Sequence, residues 1–316
     1  MIQRFTFTSS SDAGLETAIL LCTSGGDVAG AAVTAPKAVI QLVHGMCEHK
    51  ERYIPFMEFM AANGYACVIH DHIGHGESVK SAEDLGFFYA GGWNTMIEDI
   101  RLVNEWIKQR FLGVPVFLFG HSMGSMAVRS YVKRYDDTVS ALFVCGCPAF
   151  NPGSVIGKAV AKVTGQLCGY GCRPGFIQKM AFGSYGKKFK GESSPNCWVC
   201  SDPEVVKEYD ADPLCNYVFT ANGFYNLFSL MGDCYDTKGW KVSSPDMPVR
   251  FISGLEDPCL IDVKHFESAV DAMRKVGYRN VGSRLYPGMR HEILNEKDKM
   301  TVWNDVLSFA DSFLEH

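Results

Sequence analysis

The chain has 316 residues, 47% of them hydrophobic, with mean hydropathy close to zero. That is enough to bury a full core, as one large domain or as a domain carrying an insertion. A net charge of −5 gives no electrostatic footing for nucleic acid, and no zinc-finger, ribonucleoprotein or basic-helix pattern is present. No window approaches the roughly 20 uninterrupted apolar residues of a membrane span. Residues 1–8 alternate like a strand, so no signal peptide is expected, and the 12 scattered cysteines are expected to remain thiols in a cytoplasmic protein.

In chain order, the runs Gln3–Thr8 and Leu15–Cys22 predict an antiparallel hairpin at a sheet edge. Further strands are expected at Ala38–Val43, Ala66–His70, Val114–Phe119 and Ala141–Cys145. Helical periodicity marks Arg52–Asn63, Thr95–Arg110 and Ser125–Tyr135 between them. This alternation predicts an α/β architecture, a mostly parallel sheet with helices on both faces. From Ala149 to about Trp240 the rhythm breaks into a segment rich in glycine, cysteine and aromatics, read as an inserted, mainly helical cap over residues 149–240. Residues 1–148 and 241–316 then form the core. Pro245 and Pro248 mark the return to it, followed by a strand at Val249–Ser253, a helix at Asp262–Val276, a strand at Val281–Tyr286 and a closing helix at Val302–Leu314.

The chemistry concentrates at the carboxyl ends of these strands. Gly120-His121-Ser122-Met123-Gly124 joins an apolar run to a helix, the setting in which a glycine-flanked serine is lifted clear of a sheet as a nucleophile. Acyl transfer by a serine needs a base within hydrogen-bond reach and a carboxylate to orient that base. Asp257, on the loop after the strand Val249–Ser253, and His291, after the last strand, supply them in the order serine, acid, histidine. Asp257 also reads as a helix N-cap, and Glu256 is the neighbouring alternative for the acid. Backbone N–H groups of Met46 and Met123 are the expected oxyanion donors, one after an early strand and one directly after the nucleophile. No metal or organic cofactor is called for. Cys197 and Cys200 have the spacing of a zinc or redox pair, but no second pair accompanies them.

Five blocks together resemble the monoacylglycerol lipase and lysophospholipase branch of the α/β-hydrolases, of the serine aminopeptidase S33 type. They run from His44 to Tyr53, Asp71 to Ser78, Gly120 to Gly124, Gly254 to Asp257 and His291 to Glu296. The resemblance implies an α/β-hydrolase fold and hydrolysis of a lipid ester, with monoacylglycerol as the leading substrate and lysophospholipid or a short-chain carboxylester as the alternative. It implies Ser122, Asp257 and His291 as the triad, and Gly45, Glu48 and Arg52 around the alcohol end of the substrate. A buried ion pair holding the loop accounts for Glu48 and Arg52 equally well. A hydrolase-fold binding protein, a cofactor-free haloperoxidase and a carbon–carbon hydrolase are the rival readings.

Two departures stand out: Cys47 occupies a position usually held by glycine, and Ser125 stands where a second glycine is common. Cys47 and Cys259, both expected near the pocket, predict inhibition by thiol alkylation. The cap matches no motif. Within it, Tyr217–Met231 is apolar on more than one helical face and is expected to pack and to meet an acyl chain. Val155–Leu167, carrying Lys158 and Lys162, reads as a lid edge or as a site of transient membrane contact.

Overall fold

Eight strands form one sheet: β1 (Ile2–Thr8), β2 (Glu16–Cys22), β3 (Val39–Val43), β4 (Ala66–His70), β5 (Val116–His121), β6 (Ala141–Cys145), β7 (Val249–Gly254) and β8 (Val281–Tyr286). Their spatial order is β1-β2-β4-β3-β5-β6-β7-β8. β1 and β2 pair antiparallel, as the hairpin reading anticipated, and β2 alone runs against the rest. The computed structural model describes residues 1–11, 14–24 and 35–314.

Side-chain alternation sorts the strands onto two covered faces. In β5, Val116 and Leu118 join Met96, Ile100, Val128 and Val270, while Phe117 and Phe119 join Phe56, Met57, Trp303 and Val306. The first layer is built from α2 (Trp93–Arg110), α3 (Met123–Tyr135) and α8 (Val263–Val276). The second comes from α1 (Ile54–Ala62) and α9 (Lys299–Ser312). Buried Gln41 in β3 is satisfied by donating to the Ile100 carbonyl at 2.8 Å and accepting from Asn104 at 3.1 Å.

Between β6 and β7 the chain forms four α-helices, α4 (Gly153–Cys168), α5 (Gly175–Phe182), α6 (Pro203–Ala211) and α7 (Ala221–Tyr235). The last of these packs on both α4 and α3, so it bridges the inserted segment and the helical layer. Among the described residues no helix is long and apolar enough to cross a membrane.

Several boundaries differ from the sequence reading by one to three residues, and three of the differences have a clear physical reason. β5 extends to His121, two residues past Phe119, because Gly120 continues the ladder opposite Val43 and Val144. α1 begins at Ile54 after a 3-10 turn over Lys50–Tyr53, since Pro55 suits a helix's first turn, where an N–H has no partner to lose. The last helix spans Lys299–Ser312 instead of Val302–Leu314; its opening turn is polar and hides from a search for apolar periodicity.

Candidate active site

The sheet order reverses direction at β3, with β4 on one side and β5 on the other, and ligands of open parallel sheets bind at such a switch beyond the strands' carboxyl ends. Ser122 sits there, between β5 and α3, with φ 54° and ψ −117°. That backbone region is costly for a residue with a side chain, about 1–3 kcal/mol, and persists only where the surroundings enforce it. They do so here through close approach. A Cβ on Gly120 would strike the Gly124 carbonyl and lie 2.6 Å from Val128 Cγ2, and a Cβ on Gly124 would strike the carbonyl of Val43. Ser125 is accommodated after the elbow because its hydroxyl donates to the Ser122 carbonyl at 2.6 Å.

The three residues expected to act together meet. Ser122 Oγ lies 2.8 Å from His291 Nε2, and His291 Nδ1 lies 2.8 Å from Asp257 Oδ2. Asp257 is buried, and its other oxygen accepts the Cys259 N–H at 2.8 Å, so the residue is both partner to His291 and cap of the short turn that follows. Ser253 Oγ donates to Asp257 Oδ2 at 3.2 Å. Burial opposes the charge on Asp257, but the neighbouring imidazole and the hydrogen bonds from Cys259 outweigh it and hold the carboxyl below its usual range. Glu256 is exposed, so of the two acids only Asp257 reaches His291. The Trp198 ring packs 5.1 Å from that of His291, and Glu292 N–H donates to the Val199 carbonyl at 2.7 Å, which ties the loop carrying His291 to the segment between β6 and β7.

On the opposite side of Ser122 lies the loop after β3. A Cβ on Gly45 would come 2.9 Å from Ser122 Cβ, so this backbone is pressed against Ser122. Met46 and Met123, whose N–H groups were expected as oxyanion donors, both border the cavity in which Ser122 opens. Glu48 organises the loop from within, accepting from the Gly45 N–H, from Tyr53 Oη at 3.0 Å and from His121 Nδ1 at 3.1 Å. Burial disfavours its charge, yet the hydrogen bond and charge of His121, with Arg52 nearby, bring the carboxyl down to about 2. Arg52 lies behind Glu48, grips Glu292 at 2.5 and 2.6 Å, and stacks 5.1 Å from the Tyr209 ring. Of the residues expected at the alcohol end, Glu48 reaches the cavity wall and Arg52 does not.

His121, Tyr53 and Glu292 belong to this network but were not singled out in the sequence. Each adjoins a motif residue, and adjacency to Ser122, Arg52 or His291 was the only signal they carried.

The cavity has a volume of about 710 Å³ and runs from Ser122 under the inserted helices. Tyr217, Leu227, Phe228 and Met231 form its apolar wall, and Ile156 and Met180 reach it from α4 and α5. The Tyr217–Met231 stretch therefore lines the space while α7 packs against the core, and only its part from Ala221 is helical. Cys47 and Cys259 also border it. Cys47 Sγ donates to the Tyr217 carbonyl at 3.0 Å, and burial pushes both thiols up, leaving little of the reactive thiolate at neutral pH. Cys197 and Cys200 are free thiols directed at the carbonyls of Gly186 and Asn295.

An eight-stranded, mostly parallel sheet with helices on both faces, an elbow serine after β5 and an inserted helical segment after β6 defines an α/β-hydrolase. Residues 34–298 match the family described as serine aminopeptidase, S33, and the chain belongs to that hydrolase family. It is 30% identical over 287 residues to the monoacylglycerol lipase of Mycolicibacterium smegmatis, covering 89% of this chain and 90% of that one. It is 35% identical over 287 residues to the phospholipase YtpA of Bacillus subtilis, covering 88% and 97%. A thermostable carboxyl esterase from Bacillus coagulans, solved with glycerol, superposes with a TM-score of 0.88 at 25% identity over 99% of both chains. A monoglyceride lipase from Saccharomyces cerevisiae shares the fold, with a TM-score of 0.70 at 18% identity over 98% of this chain and 94% of that one.

Proposed function

We propose that the protein is a serine hydrolase that cleaves monoacylglycerol to fatty acid and glycerol through an acyl-enzyme on Ser122. The observation that carries this reading is the Ser122–His291–Asp257 relay, two contacts of 2.8 Å opening into a long apolar cavity. Ser122 Oγ attacks the ester carbonyl carbon as His291 Nε2 takes its proton, and the carbonyl oxygen gains negative charge. The N–H groups of Met46 and Met123 stabilise that charge. Collapse of the tetrahedral species breaks the ester C–O bond, and His291 returns the proton to the departing glycerol oxygen. Water, deprotonated by His291, then attacks the acyl-enzyme and releases the fatty acid. Asp257 keeps the imidazole in the required tautomer and offsets its charge at each step.

The cavity volume falls within the range of sites that enclose small molecules, roughly 300–1,000 Å³. Its apolar wall under residues 149–240 suits an acyl tail, and the polar loop around Glu48 suits the alcohol. The relatives named lipase and phospholipase support the same substrate class. On the helices that cover the cavity, Val155, Ile156 and Leu167 of α4 and Phe176 and Met180 of α5 are exposed, interspersed with Lys158, Lys162 and Lys179. Apolar residues ringed by cations fit an anionic phospholipid surface, from which a poorly soluble substrate enters directly.

A hydrolysis panel tests the assignment: monoacylglycerols, lysophospholipids and nitrophenyl esters of graded chain length. The reading expects kcat/KM to rise with acyl length and to be highest for monoacylglycerols. Fastest turnover of acetate or butyrate esters, or a preference for the lysophospholipid, would overturn the substrate assignment.

A further inference from the structure

His121 precedes the nucleophile at the end of β5, is 4% exposed, and takes no part in the proton transfers above. Its Nδ1 faces Glu48 Oε1 at 3.1 Å, and its Nε2 faces the main-chain oxygen of His291 at 3.3 Å. A carboxylate and a carbonyl only accept, so both contacts are hydrogen bonds only if both ring nitrogens carry protons. The backbone closes on the ring from two sides. A Cβ on Gly45 would lie 3.3 Å from Nδ1, and a Cβ on Gly146, where φ is +55°, would lie 3.0 Å from Nε2 and 3.2 Å from the His291 oxygen.

The charged groups around the ring are Glu48 from the loop after β3, Arg52 from the 3-10 turn, and Glu292 with His291 from the loop after β8. Two carboxylates, Glu48 and Glu292, thus share a buried space with one guanidinium, Arg52. A neutral His121 leaves that space with an uncompensated negative charge, which is expensive away from water. A protonated His121 brings it to balance. Each imidazole beside Ser122 then has its own carboxylate, Asp257 for His291 and Glu48 for His121, although the two rings are only 4.8 Å apart.

We propose that His121 is held as an imidazolium and acts as a positioning residue for the reaction, locking the oxyanion loop to the loop that carries the base. One arm of the lock runs through Glu48 to the Gly45 N–H, the other directly to the His291 main chain. Attack requires Ser122, Met46 N–H and His291 Nε2 to hold fixed mutual positions, and these belong to three separate loops that His121 touches or adjoins. The proposal rests on the serine-hydrolase reading.

Nuclear magnetic resonance of 15N-histidine-labelled protein gives the direct test. At pH 7.5 both ring nitrogens of His121 are expected to show imidazolium shifts, while a neutral-tautomer signature overturns the proposal. Kinetics supply the second readout, with kcat counted per site titrated by a fluorophosphonate so that misfolded molecules do not enter. His121→Gln is expected to lower kcat about 10- to 100-fold, the scale of a misplaced reacting group, with KM within about threefold, and Glu48→Gln to lower kcat on the same scale. The double variant is expected to be no worse than the weaker single one, since both break the same lock. Additive losses, or an unchanged kcat in His121→Gln, contradict the proposal. Should Ser122→Ala keep turning over substrate, the serine reading fails instead, and the resonance of His121 remains a separate result.

Discussion

At the floor of the cavity, Ser122, His291, Asp257, Glu48 and His121 are joined by hydrogen bonds into one array, buried except for partly exposed Ser122. Above it, α4 and α5 turn large apolar side chains to solvent, with Leu167 80% and Val155 68% exposed. The floor holds its side chains through directional hydrogen bonds, the kind of placement that bond making requires. The covering helices offer area without fixed partners, as recognition of a flexible chain or a lipid surface requires. Substitutions at the two ends should therefore fail differently.

The largest effects belong to the floor. Ser122→Ala is expected to lower kcat on the order of 10⁶-fold, and Asp257→Asn about 10⁴-fold through loss of the correct tautomer, both in protein that melts normally. Steady-state kinetics with active-site titration measures each. A loss confined to KM at either position would place the residue in binding and not in chemistry.

Next in size is an effect of acid on the fold beside that floor. Burial brings His70 to about 3 and His75 to about 4, and lowers His44 and His72 in the same direction. The folded chain thus binds fewer protons than the unfolded one between those values and about 6.5, so stability is full above pH 6.5 and falls as pH drops toward 4. Glu48 and Asp257, depressed in the fold, extend the loss to lower pH, and His121, raised in the fold, works in the opposite sense. Urea melts are expected to show a stability several kcal/mol lower at pH 4.5 than at pH 7. His70→Phe, which keeps the ring against Phe7 and removes the titration, should shrink that difference.

On the covering helices, Val155→Asp with Leu167→Asp is expected to cut activity on monoacylglycerol in anionic vesicles about tenfold and to leave a soluble nitrophenyl ester untouched. Vesicle flotation measures the binding. Equal loss on both substrates would mean the helix serves the fold and not an interface.

The smallest effect tests the strained loop. Cys47 has φ 54°, a conformation that glycine adopts freely. Cys47→Gly relieves about 1 kcal/mol of strain and forfeits the Sγ bond to Tyr217, so thermal melting should move by only a few degrees. At neutral pH, alkylating reagents are expected to act on Cys47 and Cys259 slowly, with inactivation accelerating as pH rises.

Most of the floor was legible in the sequence because its chemistry is written locally. A strand, a glycine-flanked serine and a helix sit within a few residues, and Asp257 and His291 each follow a strand. Their convergence follows from a parallel sheet, whose strands all end on one edge. What was not legible are pairings across the chain: Glu48 with His121, 73 residues apart, and Arg52 with Glu292, 240 apart. No spacing rule reaches that far. The extension of β5 to His121 was missed because Gly120 reads as punctuation when its neighbours in the ladder are unknown. The four helices between β6 and β7 left only a break in rhythm in the sequence, since they carry no motif of their own.

The central claim is that the Ser122 hydroxyl attacks the ester. Intact-mass measurement after a fluorophosphonate, followed by peptide mapping, tests it most directly. One adduct per chain on the peptide containing Ser122, absent from Ser122→Ala and from protein unfolded before exposure, is the predicted result; an adduct elsewhere, or full hydrolytic activity in the modified protein, would contradict it.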